Sequence, residues 1–211
     1  MSFAMLVVGG AFHLNRNLAA YLLQENGPFE IIGFVSCLAA AVLFAMTSAR
    51  YARLGRKAAA FWSGLLAAGF FFLAMEEISW GQSFFQWSTP DLLSDNKQGE
   101  TNLHNMAFVH LRAHDIGTTL IGLYFIVVPM MYFGMDAVRS LIDRMNLPVP
   151  PLALAAIVAA CYVLFYIPFS INYLLSAGQP LNVGEMQEFI YEMCFFIFAY
   201  LEFTRARKLT R

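Results

Sequence analysis

Five stretches of this chain are each long and apolar enough to dictate what it can become: Ile31–Ala49, Ala58–Met75, Ile116–Met135, Leu152–Leu175 and Met186–Phe203. A helix crossing the hydrocarbon of a bilayer needs about 20 mostly apolar residues, and each run has that length. Composition agrees, since 59% of the chain is hydrophobic and 13% charged, against about 25% charged in a soluble domain. A sixth candidate, Phe3–Leu23, is interrupted by His13, Asn15, Arg16 and Asn17. It either crosses with these groups facing protein or lies in the interface. "ENGPFE" closes it, with Gly27 and Pro28 breaking one helix and starting the next. The expected fold is an all-α integral membrane protein, a single domain over residues 1–211. It is a bundle of six transmembrane helices, or five if 3–23 stays in the interface, with a short interfacial helix in the 82–109 outer loop.

Orientation follows from the basic residues. "ARYARLGRKAAA" holds Arg50, Arg53, Arg56 and Lys57; the link 136–151 holds Arg139 and Arg144; the tail "TRARKLTR" holds Arg205, Arg207, Lys208 and Arg211. If the five clear helices alternate, these places share one side, which then carries 10 of the 13 Lys and Arg residues. By the positive-inside bias that side is cytoplasmic. The expected location is the bacterial inner membrane, with a cytoplasmic C-terminus and a polar site towards the periplasm. The first residues lack the basic n-region and small-residue cleavage site of a secretory signal, so they read as mature sequence.

The same topology gathers 11 of the 14 acidic residues, and all four histidines, at the other side. Acidic residues do not set topology, so insertion does not force this gathering. It predicts a polar pocket where several helix ends converge. A net charge of −1 and the lack of a basic stripe leave no case for a nucleic-acid partner. Cys37, Cys161 and Cys194 sit apart inside apolar runs and read as buried thiols, not as a metal site or disulfide framework.

Three blocks supply the chemistry. In "GEMQEFIYEMCFF" the spacing of Glu185, Glu188 and Glu192 puts three carboxylates on one helix face, which calls for a shared cation, proton or arginine. Glu185 and Glu188 at a wet interface is the plainer reading. In "FVHLRAHDIG", His110 and His114 stand four apart, a spacing at which two imidazoles can hold one metal, with Asp115 to orient a ligand or water. An interfacial collar in which Arg112 pairs with Glu76 or Glu77, and a histidine proton relay, are the alternatives. In "FFFLAMEEISWGQSFFQW", Glu76 and Glu77 point about 100° apart on a helix, so one faces the bundle. Trp80, one turn beyond Glu76, either donates a hydrogen bond or anchors the helix at the headgroups, Gly81 permits a bend, and Gln82 offers an amide.

In the stretch between these helices, "QWSTPDLLSDNKQGETNLHNMAF", Ser88 or Thr89 before Pro90 and Asp91 is a helix-start signal that predicts a short interfacial helix through Leu93. Glu100, Asn102, His104 and Asn105 make "ETNLHN" polar at nearly every position, which predicts a lid folded over the pocket. In "YIPFSINY", Pro168 frees a backbone carbonyl, and Ser170 and Asn172 follow it, as where a helix lines a cavity.

"EEISWGQ" followed by "QGETNLHN" resembles a group of uncharacterised bacterial multi-pass membrane proteins. The resemblance covers Glu25 to Asn105 and carries no mechanism. It implies that Glu76, Glu77, Trp80, Gln82, Glu100, Asn102 and His104 match the family pattern, whereas Lys97 stands where an apolar residue is expected. The types of His110, His114 and Asp115 are also similar to the zinc site of ceramidase-like membrane hydrolases, as a likeness of site chemistry alone.

Three functions are consistent with these residues. The first is a metal-assisted hydrolase or transferase acting on a membrane lipid or lipid-linked substrate. It takes its acid–base carboxylates from Glu76, Glu77 and Glu192, with Asp115 as orienter. His104, His110 and His114 would ligate a divalent metal, zinc foremost. Substrate contacts would come from Trp80, Gln82, Glu100, Asn102, Asn105, Arg112, Asn172 and Glu188. The second is a non-catalytic subunit of a larger membrane complex, with other membrane proteins as partners. The third, an ion or proton conductor, suffers from an inner half in which Glu202 stands nearly alone.

Overall fold

The computed structural model describes residues 21–22, 24, 27–93, 95–96, 99, 101–103, 116–163 and 183–209. The expectations for 3–20, for Glu25, for Glu100, for the segment from His104 to Asp115, and for Pro168, Ser170 and Asn172 lie outside the described residues.

Among the described residues the chain is helical, without a β-strand. Helix α1 is Pro28–Arg53, α2 is Lys57–Glu77, and α3 is Ile116–Gly134. Then come α4, Asp136–Met145, α5, Leu152–Cys161, and α6, Val183–Lys208. Helices α1, α2 and α3 are each long and apolar enough to cross a membrane. Helix α6 has the length, 26 residues, but Glu188, Glu192 and Glu202 interrupt its apolar run. Of the stretch 152–175, the helix is described to Cys161, continuing in a wider turn through Val163.

Local chemistry explains where these helices start and stop. Pro28 sits at the first turn of α1, where its fixed φ suits a helix and its missing N–H is not needed. At the other end Gly55 adopts φ +72°. Its N–H donates to Ala52 O and that of Arg56 to Tyr51 O, the paired bonds of a Schellman turn. The same device ends α4, where Asn146 takes φ 51° and Leu147 N–H donates to Ile142 O. The first of these turns reverses the chain tightly enough for α2 to pack antiparallel along α1.

Helix α1 also packs along α6, in the parallel sense. Phe29 stacks on Phe189 at 4.4 Å near one end, and Arg50 Nη2 donates to Arg207 O near the other. Between them, Phe44, Phe70, Phe195 and Phe198 interlock with Phe125 of α3, with ring centroids 4.9–5.7 Å apart. Small residues at the seams, Ala40, Ala41 and Ala199, let the backbones approach. Ser48 Oγ, donating to Ala60 O at 2.7 Å, ties α1 to α2.

The three basic segments meet at one end. Arg56 donates to Asn146 Oδ1 at 3.1 Å, Trp62 Nε1 to Met145 O at 3.0 Å, and Tyr124 OH to Pro148 O at 2.7 Å. The basic turn, the link carrying α4 and the C-terminal tail therefore lie together. Glu76 and Glu192 fall towards the opposite end.

Candidate functional site

The acidic end is built on a sharp reversal after α2. Ser79, Trp80 and Gly81 are successively left-handed, at φ 47°, 56° and 97°. Gly81 adopts this conformation freely, but a residue with a Cβ loses roughly 1–2 kcal/mol there. Two side-chain bonds hold the two strained residues. Ser79 Oγ accepts from Asn102 Nδ2 at 3.1 Å, and Trp80 Nε1 donates to Glu76 Oε1 at 2.6 Å. The reversal thus folds the indole back over the end of α2, where it also packs edge-on against Phe72.

Glu76 is 6% exposed, and it organises the chain on both sides of the reversal. Its second oxygen accepts the backbone N–H of Leu103 at 2.8 Å. Hydrogen bonds to a carboxylate contribute about 1.5–3 kcal/mol each, so this one residue fastens both the turn and the returning loop. Leu103 immediately precedes His104, and the clamp fixes the chain one residue short of that histidine.

A second set of bonds closes the loop. Gln82 Oε1 accepts the Thr101 N–H, and Nε2 lies 3.0 Å from Trp87 O and 3.2 Å from Thr89 Oγ1. Thr89 Oγ1 in turn donates to Gly99 O. Asn102 is 2% exposed, and Asn96 Nδ2 donates to both its backbone and side-chain oxygens, at 3.0 and 2.9 Å. The described part of the polar stretch, Thr101–Leu103, is therefore folded down onto "EEISWGQ". The Pro90–Asp91 signal yields a single 3₁₀ turn, Asp91–Leu93, closed by Leu93 N–H donating to Pro90 O.

The other buried carboxylate comes from α6. Glu192 is 6% exposed and faces Gly33 of α1, while Cys37 Sγ donates to its Oε1 at 3.7 Å. A Cβ on Gly33 would meet Glu192 Oε2 and stand 2.6 Å from its Cδ, so glycine lets the carboxylate lie against α1 where alanine would displace it. The expected common face of Glu188 and Glu192 divides: Glu188 is exposed, whereas Glu192 is enclosed by α1. The adjacent glutamates divide as the helical turn predicts, with Glu76 buried and Glu77 half-buried.

Among the described residues no three His, Cys, Asp or Glu side chains are arranged to hold a metal ion, and His104, His110 and His114 lie outside them. Glu100, Asn105, Arg112, Asp115 and Asn172 lie outside them as well. Residues that sequence reasoning passed over are Ser79, Asn96 and Thr101, and the buried pair Gln187 and Tyr191, joined at 2.6 Å. Short polar side chains beside an aromatic block were the available signal for the first three; Thr89, expected as a helix-start residue, instead ties Gln82 to Gly99. Comparison of the chain with protein-family models, with curated proteins and with solved structures finds no match.

Proposed function

We propose that this chain is an integral protein of the bacterial inner membrane, its basic end cytoplasmic and its acidic end periplasmic. We further propose that the acidic end acts on a lipid or lipid-linked substrate as a metal-assisted hydrolase or transferase. The observation that carries this reading is the buried Glu192 carboxylate, seated against Gly33 and Cys37 between α1 and α6. In low dielectric a charge acts on a neighbouring proton or cation several-fold more strongly than in water. A carboxylate left there at the expense of packing suits a general base or a ligand-orienting group.

In this reading Glu192 and Glu77 supply proton transfer. Glu76, both of whose oxygens accept hydrogen bonds, positions the Trp80 turn and the loop. Asp115 orients a ligand. His104, His110 and His114 would hold a zinc ion, which when bound would polarise a carbonyl or phosphoryl oxygen. Trp80, Gln82, Glu100, Asn102, Asn105, Arg112, Asn172 and Glu188 would frame the substrate. The test is metal analysis of the purified chain beside His110→Ala and His114→Ala, with turnover of a lipid panel by Glu192→Gln. Bound zinc lost in the histidine variants, and turnover lost but zinc retained in Glu192→Gln, are expected. Metal-free wild-type protein overturns this reading.

A second reading, a non-catalytic subunit of a membrane complex, draws on the exposed aromatics Phe84, Phe85 and Trp87 beside the site. Such a cluster serves equally as a headgroup belt or a docking surface. Stoichiometric co-purification of another membrane protein in mild detergent favours it.

A further inference from the structure

The basic end holds a cavity of about 450 Å³, within the roughly 300–1,000 Å³ usual for small-ligand sites. It opens where the ends of α1, α3 and α6 and the start of α2 meet α4 and the link after it. Its polar wall carries Arg56, Arg205, Tyr51, Tyr132 and Asn146. Its apolar wall includes Phe133, Leu147 and Val149. The arginines are set by different means. Arg56 donates to the neutral Asn146 amide and lies over the Tyr51 ring, 5.4 Å from its centre. Arg205 pairs at 3.3 Å with Glu202, itself 7% exposed.

Three further facts bear on the class of ligand. Asp143 and Glu202 balance the two arginines within the wall. The surrounding end nevertheless carries nine described Lys and Arg residues against Asp136, Asp143 and Glu202, so its field favours an anion. Arg56 also presents a planar set of donors of which Asn146 uses one, and guanidinium forks match phosphate oxygens. Helix α4 is short and amphipathic, burying Ile142 and exposing Leu141 and Met145 beside it, as a helix does at an interface. Basic pockets between helices at the cytoplasmic face are suited to lipid headgroups.

We propose that this cavity binds a phosphate ester, carried by the headgroup of an anionic phospholipid. Arg56 is the principal phosphate contact, Tyr51 flanks it, the Tyr132 hydroxyl is held by Asp143 Oδ1 at 2.9 Å, and the Phe133–Leu147–Val149 wall receives the start of an acyl chain. The inference rests on the membrane reading but not on the carboxylates at the other end. Recovery of the native chain in the soluble fraction defeats that reading, whereas phosphate binding is read on purified protein.

The test measures binding of dihexanoyl phosphatidylglycerol to the full chain in detergent, beside dihexanoyl phosphatidylcholine, glycerol phosphate and inorganic phosphate. Phosphatidylglycerol should bind at least tenfold tighter than phosphatidylcholine. Arg56→Gln and the cavity-filling Val149→Phe should each weaken it about tenfold, a loss of about 1.4 kcal/mol. Arg56→Lys should restore part of the loss. Arg144→Gln removes the same charge from an exposed site outside the cavity, and should stay within twofold of wild type. Equal affinity for the two lipids overturns the proposal. So does an equal loss in Arg144→Gln and Arg56→Gln, or full binding by Val149→Phe. Glycerol phosphate or inorganic phosphate binding as tightly as the lipid overturns the lipid carrier and assigns a soluble phosphate compound. Thermal unfolding of each variant separates lost binding from lost fold, and Val149→Phe supplies the reading if Arg56→Gln does not fold.

Discussion

Gly33→Ala should reverse the sign normally seen when a helical glycine becomes alanine. In a helix interior alanine is more favourable than glycine by about 0.8–1.0 kcal/mol. At Gly33 the new Cβ would stand 2.6 Å from Cδ and 2.9 Å from Oε1 of Glu192, so the carboxylate must move. It is the end of a flexible side chain, yet it is 6% exposed and bonded to Cys37, so moving it disturbs a packed seam. Overpacking of this kind costs about 1–3 kcal/mol, leaving a net loss of roughly 0–2 kcal/mol once the propensity gain is subtracted. Gly69 is the internal control, since a Cβ there meets nothing within 4 Å among the described residues. Gly69→Ala should therefore stabilise by up to about 1 kcal/mol.

The assay is reversible unfolding in detergent of both single variants, and of Gly33→Ala in a Glu192→Ala background. Each kcal/mol corresponds to about 2–4 °C in the midpoint for a chain of this size. Removal of the carboxylate should turn Gly33→Ala from harmful to helpful, a coupling of about 1–3 kcal/mol. A Gly33→Ala protein as stable as Gly69→Ala, or an effect unchanged by Glu192→Ala, refutes the placement of Glu192 against α1.

Trp80→Phe keeps the ring but deletes the N–H given to Glu76, and should lower stability by about 1.5–3 kcal/mol in the same unfolding assay. It should also raise hydrogen exchange at the Leu103 amide, which shares that carboxylate. Gln86 is exposed and left-handed at φ 52°, so Gln86→Gly should stabilise by about 1 kcal/mol through relief of that conformation; a lower midpoint contradicts it. Lys57→Cys and Lys208→Cys, labelled in intact cells and in inverted vesicles, should react from the same side, since the basic turn and the tail lie together. Labelling from opposite sides would dismantle both the bundle and the site.

Much of the helical framework was legible because hydropathy and capping act over a few residues. Pro28 marks the start of α1 by its own backbone preference, and the apolar runs predict α1, α2 and α3 from length alone. The site was less so. Glu76 and Glu77 are neighbours with the same chemistry, and the 100° step shows that they must differ without showing which turns inward. Glu188 and Glu192 occupy one stripe of α6, but α1 covers only the deeper one.

The order of residues by itself determined a helical chain with long apolar segments, and gathered most basic residues into the turn after α1, the link after α3 and the tail. These properties follow from local periodicity and from the sum of charges in each connection. The tertiary structure alone decided that Glu192 meets Gly33, that Ser79 and Trp80 turn left-handed to clasp Asn102 and Glu76, and that a cavity opens beside Arg56. Most of these contacts join segments roughly 20 to 160 residues apart, where burial is set by which surfaces meet and no local pattern records the partner.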